Sequence, residues 1–460
     1  MFHLLLSIVT LAMIARYLGV EDYGKFSLIF VVLSFFIILT DFGINDIVVR
    51  ELSKDKSRIP RMMYDLFLLK FLLSLGAIGL SILFIFIFNY SIEIRSLLAW
   101  ASLSLLFISW GSIGTILFRV NLWMERSAIA NMAKDFALLF SVYGVIFFKG
   151  HLLHLIWASL FAHLVNFGFN FFLMRDVMKG SLTPRDLTLW RGVIRSAFPL
   201  GLAYLAVTLY AGIDTVLLDR MVGESAVGYY NAAYKFVYQA IVLPIAFVNS
   251  LFPFMSEYWH HDQEKLKRLI QKAYDFMVLI AIPFGVAVTI TAPKLILLIY
   301  GDQYTPSILS LQILIWAVVL MFQTIIFGYM MVALDQQRKS MVVDLCALGL
   351  NIGLNLILIP SLSFIGASIT TVITELFVFI PTLYIIQKRL NFSLSLRKLP
   401  KSFFISGLCA LLLILSDSLH LFIQLAIGIG GYAFLIYLFK LVPKEDLQLF
   451  WQKTRSGRTL

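Results

Sequence analysis

The side chains that could do chemistry lie inside or at the edge of long apolar stretches. Arg16, Arg50, Lys70, Lys134, Arg220 and Lys235 supply cations; Asp214, Asn351, Asn355 and Glu375 supply oxygen donors. An ionised group near mid-bilayer costs about 2.5 to 3.5 kcal/mol on insertion scales, and less near the ends. Such residues are expected to pair, to face a watery path, or to meet a polar cargo. Lys70 and Lys134 lie roughly five or six residues in from one end of their stretches, judged by helical rise. Asp41 lies at similar depth and Arg50 at the edge, whereas Arg16, Arg220, Lys235 and Lys294 lie toward the opposite end. Lys134 adjoins Asp135, so a local ion pair rivals a ligand role there. Glu375 is the acidic residue nearest the midplane, and its ionised form needs a partner or water.

The elements that must position these groups are membrane helices. The chain has 460 residues, of which 60% are hydrophobic and 14% charged, with a mean hydropathy of +0.90. A spanning helix needs about 20 apolar residues, and stretches of that length follow one another along the chain. A closed barrel would read as short alternating segments instead. The reading is an all-α polytopic membrane protein of about fourteen spans, beginning near residues 1, 23, 64, 96, 129, 153, 198, 227, 273, 307, 341, 365, 402 and 421. No connection is long enough for a soluble catalytic module, and no G-x-x-x-x-G-K-[ST] phosphate loop exists. Cys346 and Cys409 fall inside spans, where a thiol behaves as a small hydrophobe.

Lysine and arginine set the orientation. With alternate connections placed on opposite sides and the N-terminus inside, roughly 28 of the 37 basic residues fall inside, against about 4 outside. The net charge of +11 follows from this bias and from contact with anionic headgroups, not from nucleic-acid binding. Both termini are then cytoplasmic, with the protein in the cell (inner or plasma) membrane.

The stretch "RYLGVEDYG" recurs. Arg16, Gly19 and Gly24 match Arg220, Gly223 and Gly228 in "RMVGESAVG" with identical spacing. "YD" at Tyr64 and Asp65 returns at Tyr274 and Asp275, and "LWMER" ending at Arg126 returns as "LDQQR" ending at Arg338. The order predicts two copies of a six-helix unit related by an axis along the membrane normal. The expected organisation is an N-lobe over 1–196, a C-lobe over 197–390, helices thirteen and fourteen over 391–441, and a cytoplasmic tail over 442–460. In each copy the first glycine suits a helix C-cap and the second a close helix crossing. Arg16 and Arg220 could equally snorkel to the interface as helix-end arginines.

At this point the chain resembles the polysaccharide-export flippases of the multidrug/oligosaccharidyl-lipid/polysaccharide exporter superfamily, of the oligosaccharide or O-antigen translocase kind. The resemblance rests on "ARYLGVEDYG", "LTDFGINDIVVREL", "GIDTVLLDRMVGESAVGYYNAAYKF", "LLIYGDQYTPS" and "NIGLNLILIPSLSFIGASIT". It implies two six-helix lobes around a central cavity that opens alternately to either side. It implies a transporter rather than an enzyme, with a polyprenyl-pyrophosphate-linked glycan as cargo, moved from the cytoplasmic to the outer leaflet. Polysaccharide polymerase and glycosyltransferases are the partners it suggests, beside membrane lipids. For such a cargo Arg16, Arg50, Lys70, Lys134, Arg220 and Lys235 are the candidate substrate contacts. Asp214, Asn351 and Asn355 resemble the positions of a sodium site in the lipid II flippase branch, and with Glu375 they are candidates for a coupling Na+ or H+. No other cofactor is implied. One carboxylate and two amides would be an incomplete set for a hard cation. A multidrug antiporter of the same superfamily is the alternative, and a membrane polysaccharide polymerase a more distant one. A substrate-gripping guanidinium at Arg16 predicts that Arg16→Lys abolishes export nearly as fully as Arg16→Ala, measured as surface glycan, whereas an anchor would tolerate lysine.

Overall fold

The computed structural model describes residues 2–175, 187–439 and 441, and is helical wherever regular structure occurs among them. The tail expected at 442–460 lies outside these residues, as does 176–186, half of the basic stretch 175–196 between the helices of the two expected lobes. In chain order the helices are α1 (Phe2–Asp41), α2 (Ile44–Lys54), α3 (Ile59–Ile87), α4 (Ile92–Ser102), α5 (Ser104–Asn121), α6 (Met124–Phe147), α7 (Leu152–Met174) and α8 (Leu187–Met221). They continue as α9 (Glu224–Ala240), α10 (Val242–His261), α11 (Gln263–Ile299), α12 (Ser307–Ala333), α13 (Gln337–Leu390), α14 (Lys398–Leu415) and α15 (Leu421–Leu438). Among the described residues, 12 helical stretches are long and apolar enough to cross a membrane. Two of them, Leu6–Lys54 and Gln337–Leu390, exceed one crossing by far, at 49 and 54 residues. Each contains a break: Gly19 at φ 74° in the first and Ser363 at φ 52° in the second. Large apolar side chains such as Phe86, Phe140 and Ile357 are more than 60% exposed, which only a lipid surround makes favourable.

By packing, the chain forms two compact units. One comprises Met1–Asn231 with Leu348–Ala367; the other comprises Ala232–Ala347 with Ser368–Leu460. The expected lobes are defined by sequence equivalence and these units by contacts, so the two divisions answer different questions.

Within the first unit, α1 beyond Gly19 runs beside α8 in the opposite direction, and glycines set how closely. A Cβ on Gly24 would overlap the backbone carbonyl of Glu224, and a Cβ on Gly228 would overlap that of Val20. Val20 and Glu224 hold equivalent places in the two copies of the repeat, as do Gly24 and Gly228. The repeated junctions therefore seat reciprocally on one another. Further along, Gly212 admits Val31 and Phe35, each 2.8 Å from where its Cβ would stand, and Gly201 admits Phe42. The first glycine of each copy has positive φ, 74° at Gly19 and 115° at Gly223, which lets the chain turn out of one helix and into the next.

The second unit is built on α11 and α12, with α14 and α15 against α11. Asp262 starts α11 by accepting from the Lys265 N–H at 3.0 Å, and that hydrogen bond holds its carboxyl below the usual range. Lys294 of α11 donates to the carbonyls of Asp417 and Leu419 and pairs with the Asp417 carboxylate at 3.0 Å. This ties the α14–α15 turn to α11. We expect Gly24→Ala and Gly228→Ala each to cost about 1–3 kcal/mol through forced backbone separation, measured by unfolding in detergent. Gly144→Ala, where an added Cβ meets nothing within 4 Å, should cost nothing.

Candidate functional site

Four buried residues of the first unit meet on three helices. Asp214 lies on α8, Tyr230 on α9 beyond the Gly223 reversal, and Asn351 and Asn355 one turn apart on α13. Tyr230 donates its hydroxyl to Asp214 Oδ2 at 2.8 Å. Asn355 Nδ2 donates to Asp214 Oδ1 at 2.5 Å and to Asn351 Oδ1 at 3.0 Å. Two oxygens thus converge on one amide nitrogen, the place where positive charge is favoured. Asn355 Oδ1 is buried with no hydrogen-bond partner among the described residues. An orphaned carbonyl oxygen this deep is costly, and a cation or a turned amide would relieve it. Asp214, Asn351 and Asn355 together offer a hard monovalent cation a carboxylate and two amide oxygens, a partial set by themselves. No group of three or more His, Cys, Asp or Glu suited to a metal ion occurs among the described residues.

The expected cations have separate settings. Lys70 is fully buried on α3, and its ammonium pairs with Asp41 Oδ1 of α1 at 3.1 Å. Arg50 on α2 is exposed and contacts Glu51 at 3.3 Å. Lys134 on α6 is partly buried, 3.8 Å from Asp135. Arg16 is exposed on α1. Arg220 donates to the carbonyl of Phe88, the C-cap of α3, and lies over the Tyr90 ring with its Cζ 3.7 Å from the centroid. Burial behind that guanidinium pushes the Tyr90 hydroxyl pKa up. Lys235 is partly buried in the second unit, its Nζ 5.6 Å from the Tyr238 centroid, and Glu375 is buried there on α13. Of the expected site residues, Asp214, Asn351 and Asn355 are brought together; the cations are dispersed.

Residues 1–259 match the family described as polysaccharide biosynthesis protein. The chain belongs to this family. Residues 199–357 of this polysaccharide biosynthesis family member also match the MatE family. It is 23% identical over 166 residues to the probable low-salt glycan biosynthesis flippase Agl15 of Haloferax volcanii. It is 27% identical over 170 residues to the probable flippase AglR of the same organism. Each alignment covers 36% of this chain and 35% of the relative, so the chain matches about a third of the length of these curated relatives. Among solved structures, the lipid II flippase MurJ in an inward closed conformation superposes with a TM-score of 0.80 at 15% identity, covering 95% of this chain and 97% of that one. An inward-facing multidrug resistance MATE family transporter of the MOP superfamily gives 0.69 at 16% identity, covering 85% and 96%. At such identities the likeness is one of fold.

The structure of this family member adds polar groups that sequence reading missed. Tyr230 is one, since the partner of Asp214 lies across a helix reversal. Asp46 is another, bound by Arg119 at 2.8 Å and by the Tyr204 hydroxyl at 2.9 Å. At the other end of α1, Lys25 gathers Glu21, Asp22 and Glu93 at 3.5, 3.1 and 3.0 Å. Only the i, i+3 and i, i+4 members of that last cluster left a signal in the sequence. Asp41→Asn would leave the Lys70 ammonium buried without a counter-charge. It should destabilise the protein by about 3 kcal/mol, most of it regained in Asp41→Asn/Lys70→Met. A denaturation series showing wild-type stability for Asp41→Asn would refute the pairing.

Proposed function

We propose that this protein is a transporter that flips a polyprenyl-pyrophosphate-linked oligosaccharide from the cytoplasmic to the outer leaflet by alternating access. The observation that carries this reading is the reciprocal seating of the repeated junctions, Gly24 on Glu224 and Gly228 on Val20. A contact made of bare backbone, with few interlocking side chains, can part and re-form, as a route for a large polar cargo requires. Family membership over residues 1–259 and two probable flippases among the relatives support the glycan-lipid cargo. The lysine and arginine bias supports fourteen spans and both termini on the cytoplasmic side of the cell membrane, and the internal repeat supports two lobes over 1–196 and 197–390. Polysaccharide polymerase and glycosyltransferases are its proposed partners.

The Asp214, Asn351 and Asn355 cluster is the proposed coupling site for Na+ or H+, with Glu375 as a second proton candidate. A cation held by Asp214 would satisfy the orphaned Asn355 oxygen and compete with the Asn355 amide, so occupancy would alter how α8, α9 and α13 are tied together. Arg16, Arg50, Lys70, Lys134, Arg220 and Lys235 remain the proposed cargo contacts. A second reading, a multidrug antiporter, is favoured by the MatE match over residues 199–357.

Leaflet-resolved labelling of polyprenyl-linked glycans separates the two. Deletion of the protein should lower the outer-leaflet pool about tenfold, and Asp214→Asn should flatten its dependence on the sodium or proton gradient. An unchanged pool in a strain without a redundant flippase sinks the flippase reading. Raised drug sensitivity in that strain would instead favour the antiporter.

A further inference from the structure

We propose that the groove between α3 and α8 is a binding site for an anionic diacyl phospholipid, with one acyl chain between the helices and the headgroup phosphate on Arg191 and Arg195. A cavity of about 310 Å³ opens between these helices, lined among others by Phe42, Leu72, Gly76, Leu80, Ile194 and Ala197. Its lining is almost wholly apolar carbon, which suits a hydrocarbon chain and nothing that must hydrogen-bond. Leu72, Leu80 and Ile194 are 50%, 49% and 40% exposed, so the groove opens sideways toward lipid. Gly76 keeps it open, since a Cβ there would meet nothing within 4 Å.

A second cavity, of about 650 Å³, adjoins the first at Ile194, which lines both. Its wall is the first turns of α8: Trp190, Arg191, Ile194, Arg195, Phe198 and Pro199. Arg191 and Arg195 are one helical turn apart and exposed, and neither forms an ion pair or hydrogen bond among the described residues. Two exposed guanidiniums, an indole beside them and a hydrocarbon slot that shares Ile194 with them supply what each part of a phospholipid needs: phosphate, interface and chain. The charge selects an anionic headgroup over a zwitterionic one. On the proposed orientation this end of α8 is cytoplasmic, so the lipid belongs to the inner leaflet. Only that choice of leaflet rests on the functional proposal.

The full-length protein in detergent, titrated with palmitoyl-oleoyl phosphatidylglycerol or the phosphatidylcholine of the same chains, tests the site by native mass spectrometry. At about 1 kcal/mol for each basic residue near the surface, phosphatidylglycerol should bind roughly 30-fold more tightly at low salt. Arg191→Gln/Arg195→Gln should bring the two lipids to equality. Gly76→Leu should weaken both lipids at least tenfold by filling the slot, with Gly144→Leu as the control for added bulk. Inorganic phosphate at equal concentration should displace neither. Equal binding of the two lipids to the wild type overturns the proposal, as does a preference that survives the double arginine change. Displacement of phosphatidylglycerol by an equimolar polyprenyl phosphate would reassign the groove to cargo, and so overturn it too. Leaflet-resolved labelling of the wild type reports separately on flipping, so failure of one reading leaves the other measurable.

Discussion

The first compact unit depends on how closely α1 and α8 approach. Gly201 and Gly212 of α8 leave room for Phe42 and for Val31 and Phe35, and at the junction Gly24 of α1 and Gly228 of α9 meet the backbone carbonyls of Glu224 and Val20. In a bilayer lipid tails are as apolar as leucine, so helix association is driven by close packing and interhelical hydrogen bonds. Glycine gives the closest packing available. The seam also decides where Asp214 points. Gly212 faces α1, and two residues along a helix is a rotation of about 200°, so the next polar group faces away from α1 toward Tyr230 and Asn355. One helix thus presents a bare face on one side and a carboxylate on the other.

Many polar groups elsewhere in the spans are satisfied locally or in small closed sets. Ser74 and Thr374 return their hydroxyls to the carbonyl four residues back. Asn166 and Asn170 of α7 hydrogen-bond one another, and Asn170 packs on the bare backbone of Gly114. Lys70 has its carboxylate in Asp41. The Asn355 oxygen belongs to a smaller group, with Asp65, Asn170 and Gln323, whose buried oxygens have no hydrogen-bond partner among the described residues.

Much of the fold was legible because the bilayer imposes one element type and one length. The turn glycines were legible as well: Gly19 and Gly223 were expected as caps from their spacing, and both adopt the positive φ that makes glycine the natural choice. Resemblance to the lipid II flippase branch picks out Asp214, Asn351 and Asn355 together, so that cluster could be anticipated. The rest depended on partners far apart in sequence. Nothing near Arg220 announces the Phe88 carbonyl, and nothing near Asp46 announces Tyr204, since such pairs are created by helix packing. Lys70 and Asp41 were placed at one depth on neighbouring spans, but depth alone does not specify a facing pair.

The reciprocal junction has one more consequence. Its closest contacts are made to the carbonyls of residues 20 and 224, which every amino acid possesses, and only the Val20 side chain also enters the fit. One copy carries valine and the other glutamate at that place. An interface of this sort constrains its two glycines above all. A repeat joined in this way can grow faint in sequence and keep its joint.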